Sequence, residues 1–176
     1  MIFFIRNLFF LILSFSLAND LVSHKAFKIS NISEKITEIV FEAPQLDIVN
    51  NGEGAKFDTN DMVGTTNEQG MPEFPIYSSL FQMTPGISYD IEYEVLSSHF
   101  IDNVDFKVNN YNGTSVYPLE NISLSDPLIM RGLVLGQLSF IPYRYSYKDK
   151  RLEVYDAVQI TISESGDSEV DYFIPE

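Results

Sequence analysis

The chain has no cysteine, two histidines and only eleven lysine or arginine residues in 176. Each shortage removes a class of function. Without cysteine there is no thiolate nucleophile, no cysteine-based metal site and no disulfide. An exported domain of this kind must be held by its apolar core, which favours a bacterial envelope or secreted protein over a small disulfide-stapled one. His24 and His99 lie far apart in sequence, and neither sits in a partner motif. His99 therefore reads as a packed or exposed strand-end residue rather than a catalytic base. No serine occupies a nucleophile elbow. The shortage of cations leaves a formal net charge of −14. That excludes nucleic acid and anionic membrane surfaces as partners and fits a partner with a basic face. No cofactor is expected.

The first eighteen residues, "MIFFIRNLFFLILSFSLA", differ from the rest. One basic residue, Arg6, precedes a short apolar run, and Ser16 and Ala18 are small residues placed as a cleavage signal requires. The run is too short to span a bilayer comfortably, and no later segment is long and apolar enough to try. Residues 1–18 are predicted to be a signal peptide cleaved between Ala18 and Asn19. The mature protein would then be exported to the periplasm, the outer surface or the medium, with no membrane attachment after cleavage.

The remainder reads as strand. "SEKITEIVFEA" (33–43) has Ile32, Ile36 and Val40 at helical spacing. A helix there would stack Glu34, Glu38 and Glu42 as like charges, and the Ile-Val-Phe centre is β-prone, so a strand is predicted. Residues 52–70 are polar and glycine-punctuated, a loop with room for one short strand. "IYSSLFQM" (76–83) is a strand, Thr84-Pro85-Gly86 a turn, and "ISYDIEYEVLSS" (87–98) a second strand. In it Tyr89, Ile91, Tyr93 and Val95 face one way and Asp90, Glu92 and Glu94 the other.

A polar connection is predicted over 109–126. A nearly continuous strand follows over 128–141, with Gly132 and Gly136 as bulge or close-contact positions. Residues 141–162 then alternate on both sides of a charged break, a hairpin whose Leu152, Val154, Val158, Ile160 and Ile162 face the core. The expected fold is all-β, an antiparallel β-sandwich of jelly-roll-like type. Its expected divisions are a lead-in over 19–34, the sandwich over 35–163 and an acidic tail over 164–176.

"DTNDMVGTTNEQG" (58–70) resembles a calcium loop only superficially. Counting from Asp58, Met62 falls at the fifth ligand position and Gln69 at the twelfth, so the pattern fails. The sequons at Asn31, Asn112 and Asn121 read as chance occurrences. The tyrosines of the 141–162 hairpin read as packing residues.

Two stretches carry more than pattern. The first has Gly70-x-Pro72-x-Phe74-Pro75, a strand, then Pro85-Gly86 and another strand. The second has Arg131-Gly132, an apolar strand, Pro142-Tyr143-x-Tyr145, then Leu152-x-Val154-Tyr155 and an alternating strand. In this order, across roughly 35–163, they resemble the propeptide domain of gingipain-type cysteine proteases. The residues themselves read as fold devices: prolines hold the chain extended or end strand pairing, and glycine permits a positive φ.

The resemblance implies a β-sandwich prodomain that assists folding of a protease and keeps it latent by covering its active-site cleft. In some members a loop presents a basic side chain like a substrate. The loop expected here, 109–126, has no lysine or arginine, whereas Arg131, Arg144, Lys148, Lys150 and Arg151 lie in neighbouring strands and turns. Lys148, Lys150 and Arg151 form the densest basic cluster and are candidate partner contacts. With no cysteine and only 164–176 beyond the matched span, the expectation is a non-catalytic module without its protease domain, truncated or standing alone. Its partner protease would be met in trans or has been lost. The alternative expectation is a structural or adhesive envelope module on the same fold.

Overall fold

The computed structural model describes residues 25–50, 52, 54–58, 64–107 and 115–168. The predicted signal peptide and its Ala18–Asn19 junction, His24, and Asn112 lie outside them. Among the described residues there is no helix, and every paired strand is antiparallel.

The organising element is the last strand, β13 (Arg151–Asp167), which the Leu152-to-Ile162 alternation specifies. One of its edges is occupied along its whole length by β7 (Ile87–Asp102). The other is shared by β12 (Tyr143–Ser146), against residues 151–154, and β2 (Ile36–Glu42), against 157–163. Beyond these lie β1 (Phe27–Ile32) on β2 and β8 (Val116–Tyr117) on β12. The predicted strand over 33–43 and the hairpin over 141–162 are therefore both present. Strand pairing also reaches beyond 35–163 on either side, through β1 and through β13 as far as Asp167.

The second sheet is built on β11 (Leu133–Phe140). One edge pairs with β6 (Pro75–Gln82), which in turn pairs with β5 (Gly64–Thr65). The other edge pairs with β10 (Leu128–Met130) and β9 (Ile122–Leu124). The sheets face each other through aromatic rings. Phe41 of the first meets Tyr77 and Phe140 of the second at 5.3 and 5.0 Å, and Tyr93 meets Phe140 at 5.6 Å. Such edge-to-face pairs add to the stabilisation from burial alone. Leu138, Phe140, Leu152, Val158 and Ile160 are fully enclosed between the sheets. A small hairpin, β3 (Ile48–Asn50) with β4 (Ala55–Phe57), brings Phe57 to Phe74, Phe106 and Tyr143.

Two expectations need correction. The stretch 128–141 is not one strand: it breaks at Arg131-Gly132 into β10 and β11, which pair Met130 with Leu133. Both central residues have positive φ, 51° and 78°, the requirement of a two-residue primed turn. Gly132 is thus a turn residue, whereas Gly136 is a close-contact position as predicted. A Cβ there would come within 2.7 Å of the Met83 sulfur and 3.1 Å of Leu124. The second correction concerns 109–126, which contains β8 and β9 rather than only polar loop. Asn121 is the reason the sequence conceals this. It is buried, its backbone carbonyl accepts the Ile141 amide, and its side-chain amide donates to the carbonyls of Ile141 and Tyr143. A polar residue whose amide hydrogens both find acceptors can sit in a core, but composition scores it as loop. The same bonds occupy its amide nitrogen and support the reading of that sequon as chance.

Candidate functional site

Most of the motif residues have work inside the fold. Gly70 has φ 84° in the turn ahead of β6. The Pro72 carbonyl accepts the Thr66 hydroxyl, which in turn accepts the Phe74 amide at 2.9 Å. Phe74 is fully buried among Phe57, Phe106, Tyr117 and Tyr143. Pro75 starts β6 in the core. Pro85 and Gly86 make the β6–β7 turn, where the Gly86 carbonyl accepts the Ser168 amide. The Pro142 carbonyl accepts the Tyr155 amide, and the Tyr145 hydroxyl donates to the Val104 carbonyl at 2.7 Å. Leu152, Val154 and Tyr155 are buried.

Burial acts on the tyrosines as it should, disfavouring the phenolate. The Tyr155 hydroxyl is pushed up to about 12 by burial, with Glu153 and Tyr93 adding to the effect. Burial, reinforced by neighbouring Tyr77, holds Tyr143 well above the ordinary tyrosine range.

Arg131 and Gly132 are the exception. They form the tip of the β10–β11 hairpin, both are exposed, and Arg131 has no ion-pair partner among the described residues. The shoulders of this tip are apolar. Met130 pairs with Leu133 and Leu128 with Leu135 across the hairpin. Their side of β11 is opposite that of buried Val134, Leu138 and Phe140. Met130 is 50% exposed and Leu133 45% exposed. Ile129, which pairs with Val134, is also exposed. A cation on a tight turn above an exposed cross-strand apolar ladder makes this tip a candidate contact surface, because water solvates such a ladder poorly.

The basic cluster at the β12–β13 turn is different. Lys150 Nζ lies 3.0 Å from the Asp105 carboxylate, and Arg151 Nε lies 2.8 Å from that of Asp102. The Arg151 guanidinium also sits 4.9 Å from the centre of the Phe100 ring. Lys148 is exposed on the same turn. Two of the three cations are therefore engaged within the domain.

His99, on β7, is an exposed strand residue, as expected. Its Nδ1 lies 2.9 Å from both carboxylate oxygens of Asp156. The pair stands beside a cleft of about 410 Å³ walled by Leu46, Ile48, Phe57 and Ile101. Among the described residues no group of three or more His, Asp or Glu could hold a metal ion.

Residues 100–171, which include both hairpins, match the propeptide family Propeptide_C25. The chain is similar to propeptide domains of the gingipain type. Gingipain R2 from Porphyromonas gingivalis is 25% identical over 123 residues, a match covering 58% of this chain and 16% of that protein. Gingipain R1 from the same organism is 24% identical over 122 residues, covering 57% and 12%. The chain thus spans a small fraction of these relatives' length. Among solved structures, the complex of Porphyromonas gingivalis RgpB pro- and mature domains aligns with a TM-score of 0.63 at 21% identity. That alignment covers 86% of this chain and 89% of the matched one. A structure described as giving insight into zymogenic latency of gingipain K aligns at 0.59 and 15% identity, covering 80% and 92%. The propeptide fold is shared across these alignments.

Reading Arg131-Gly132 as part of one strand hid the hairpin. The available signal was a dipeptide containing glycine between two apolar runs, a weaker form of the Asn-Gly signature of two-residue turns.

Proposed function

We propose that this is an exported, non-catalytic propeptide domain that assists folding of a gingipain-type cysteine protease and keeps it latent by covering the active-site cleft. The observation that carries this reading is the β10–β11 hairpin. Arg131 stands exposed at its tip, flanked by Met130 and Leu133, in a domain whose other motif residues are committed to the fold. A basic side chain on a preorganised turn offers a protease cleft a substrate-like charge with little ordering cost. The apolar shoulders supply the buried contact around it. Inhibition of this kind is mass action: the domain occupies the cleft and substrate competes for it. The protease nucleophile comes from outside these 176 residues, which contain no cysteine.

The test is inhibition of a purified arginine-selective gingipain-type protease by the isolated domain. Arg131→Ala is expected to raise the inhibition constant at least about tenfold, in line with truncation of one partner of a buried charge pair. Lys150→Ala together with Arg151→Ala is expected to change it little. Inhibition that survives Arg131→Ala but is lost with the Lys150/Arg151 pair would move the contact to the β12–β13 turn. No inhibition by the intact domain would end the reading and leave a structural module.

A further inference from the structure

β7 is the one long strand of the first sheet whose second edge is unpaired among the described residues, since it bonds to β13 alone. Its middle is exposed on both faces: every residue from 94 to 100 is exposed, including Val95 at 37%, Leu96 at 53% and Phe100 at 55%. A register shift between Ala157 and Val158 leaves Leu96 without a partner residue on β13. The outer face carries Asp90, Glu92 and Glu94 on one side of this irregularity and Ser98, Phe100 and Asp102 on the other, by the alternation that turns Tyr93 and Ile101 toward the core. In the sheet, Glu92 lies beside Thr161 and then Glu38, while Glu94 lies beside Gln159 and then Val40. These neighbours bring no cation to Glu92 or Glu94, whereas at the far end of the strand Arg151 already pairs with Asp102 and lies over the Phe100 ring. On the inner side His99 and Ile101 border the cleft walled by Leu46, Ile48 and Phe57.

From this we infer a second interaction surface: the β7 edge accepts an extended segment of a partner protein as an added strand, with basic residues on its outer face and apolar residues on its inner face. Added strands gain affinity from main-chain hydrogen bonds and specificity from what their alternate side chains meet. Here one row meets Glu92 and Glu94, and the other meets the cleft beside His99. Acidic residues on an edge also guard against promiscuous pairing, but a guarded edge has no use for three exposed large apolar residues. A second copy of this chain is disfavoured as the occupant, because it would bring its own acidic row and a net charge of −14 to the same edge.

The probe is a fluorescent synthetic peptide alternating lysine and valine, titrated into the domain and followed by anisotropy. Two controls are needed: a peptide of the same composition with its lysines in one block, and the alternating peptide N-methylated on every second amide so that one edge cannot pair. The alternating peptide is expected to bind at least about tenfold more tightly than either control. Glu92→Lys with Glu94→Lys should abolish that preference, keep the melting curve, and transfer binding to an alternating glutamate–valine peptide. Equal binding of the N-methylated peptide would overturn the proposal, since charge alone would then explain the affinity. So would a dimer in sedimentation that Leu96→Lys dissociates, since the edge would then belong to a second copy.

Discussion

The two β-hairpin tips of this domain contrast in a way that residue type does not convey. The β12–β13 turn has three cations within four residues, while the β10–β11 tip has one. Yet Lys150 is held by Asp105 just after β7 and Arg151 by Asp102 at its end, whereas Arg131 projects without an ion-pair partner among the described residues. The apolar neighbours differ as well. Tyr143, Tyr145 and Leu152 beneath the first turn are buried, and Met130 and Leu133 beneath the second are exposed. Density of charge does not tell which cations the fold already engages, because that depends on which strands become neighbours.

The largest expected effects test whether both hairpins stand on one core. Leu138→Ala in β11 and Leu152→Ala in β13 remove side chains with no exposed surface, and each should cost about 2–5 kcal/mol in denaturant unfolding. A near-neutral Leu138→Ala would mean the β10–β11 hairpin is an appendage rather than part of the sandwich.

Alkaline titration separates the two regions next. Tyr155 has a folded-state pKa of about 12, above the value of about 10 for an unfolded chain. The folded state therefore holds its proton more tightly, so the stabilisation is complete below pH 10 and is lost as pH rises from 10 through 12. Tyr143, raised by burial, acts in the same direction. Residues 128–140 contain no tyrosine. Tyr155→Phe should flatten the loss of stability above pH 10, measured as melting temperature against pH, and changes at the β10–β11 tip should leave the slope as it is.

A smaller effect is expected at the tip itself. A Cβ on Gly132 meets nothing within 4 Å, so the cost of Gly132→Ala is conformational, from φ 78°. It should be about 1–2 kcal/mol. A loss much larger than that would show that the turn is packed rather than free.

The smallest effect belongs to the basic turn. Neutralising Lys148, Lys150 and Arg151 together should shift the melting temperature far less than either leucine truncation, and less still in high salt. A large salt-independent loss would make these ion pairs part of the architecture and sharpen the contrast with Arg131.

Alternation by itself determined the strands. Tyr89, Ile91 and Tyr93 against Asp90, Glu92 and Glu94, and Val158, Ile160 and Ile162 against Gln159 and Thr161, state which face is buried. Side-chain direction in a strand has a period of two residues, so a local stretch suffices to read it. The proline and glycine motifs were legible for a similar reason, since each constrains its own backbone.

Tertiary structure decided everything that depends on which strands become neighbours. Asp105 and Asp102 stand 45 and 49 residues from the cations they hold. Asn121 reaches two carbonyls of the chain entering β12. The split of 128–140 at Arg131 rests on a two-residue turn stabilised by β10 folding back onto β11. Among the described residues β7 bonds to β13 alone, so its open edge too is set by strand order. Pairing partners and the charges left without them are properties of strand order, and a period of two carries no information about order.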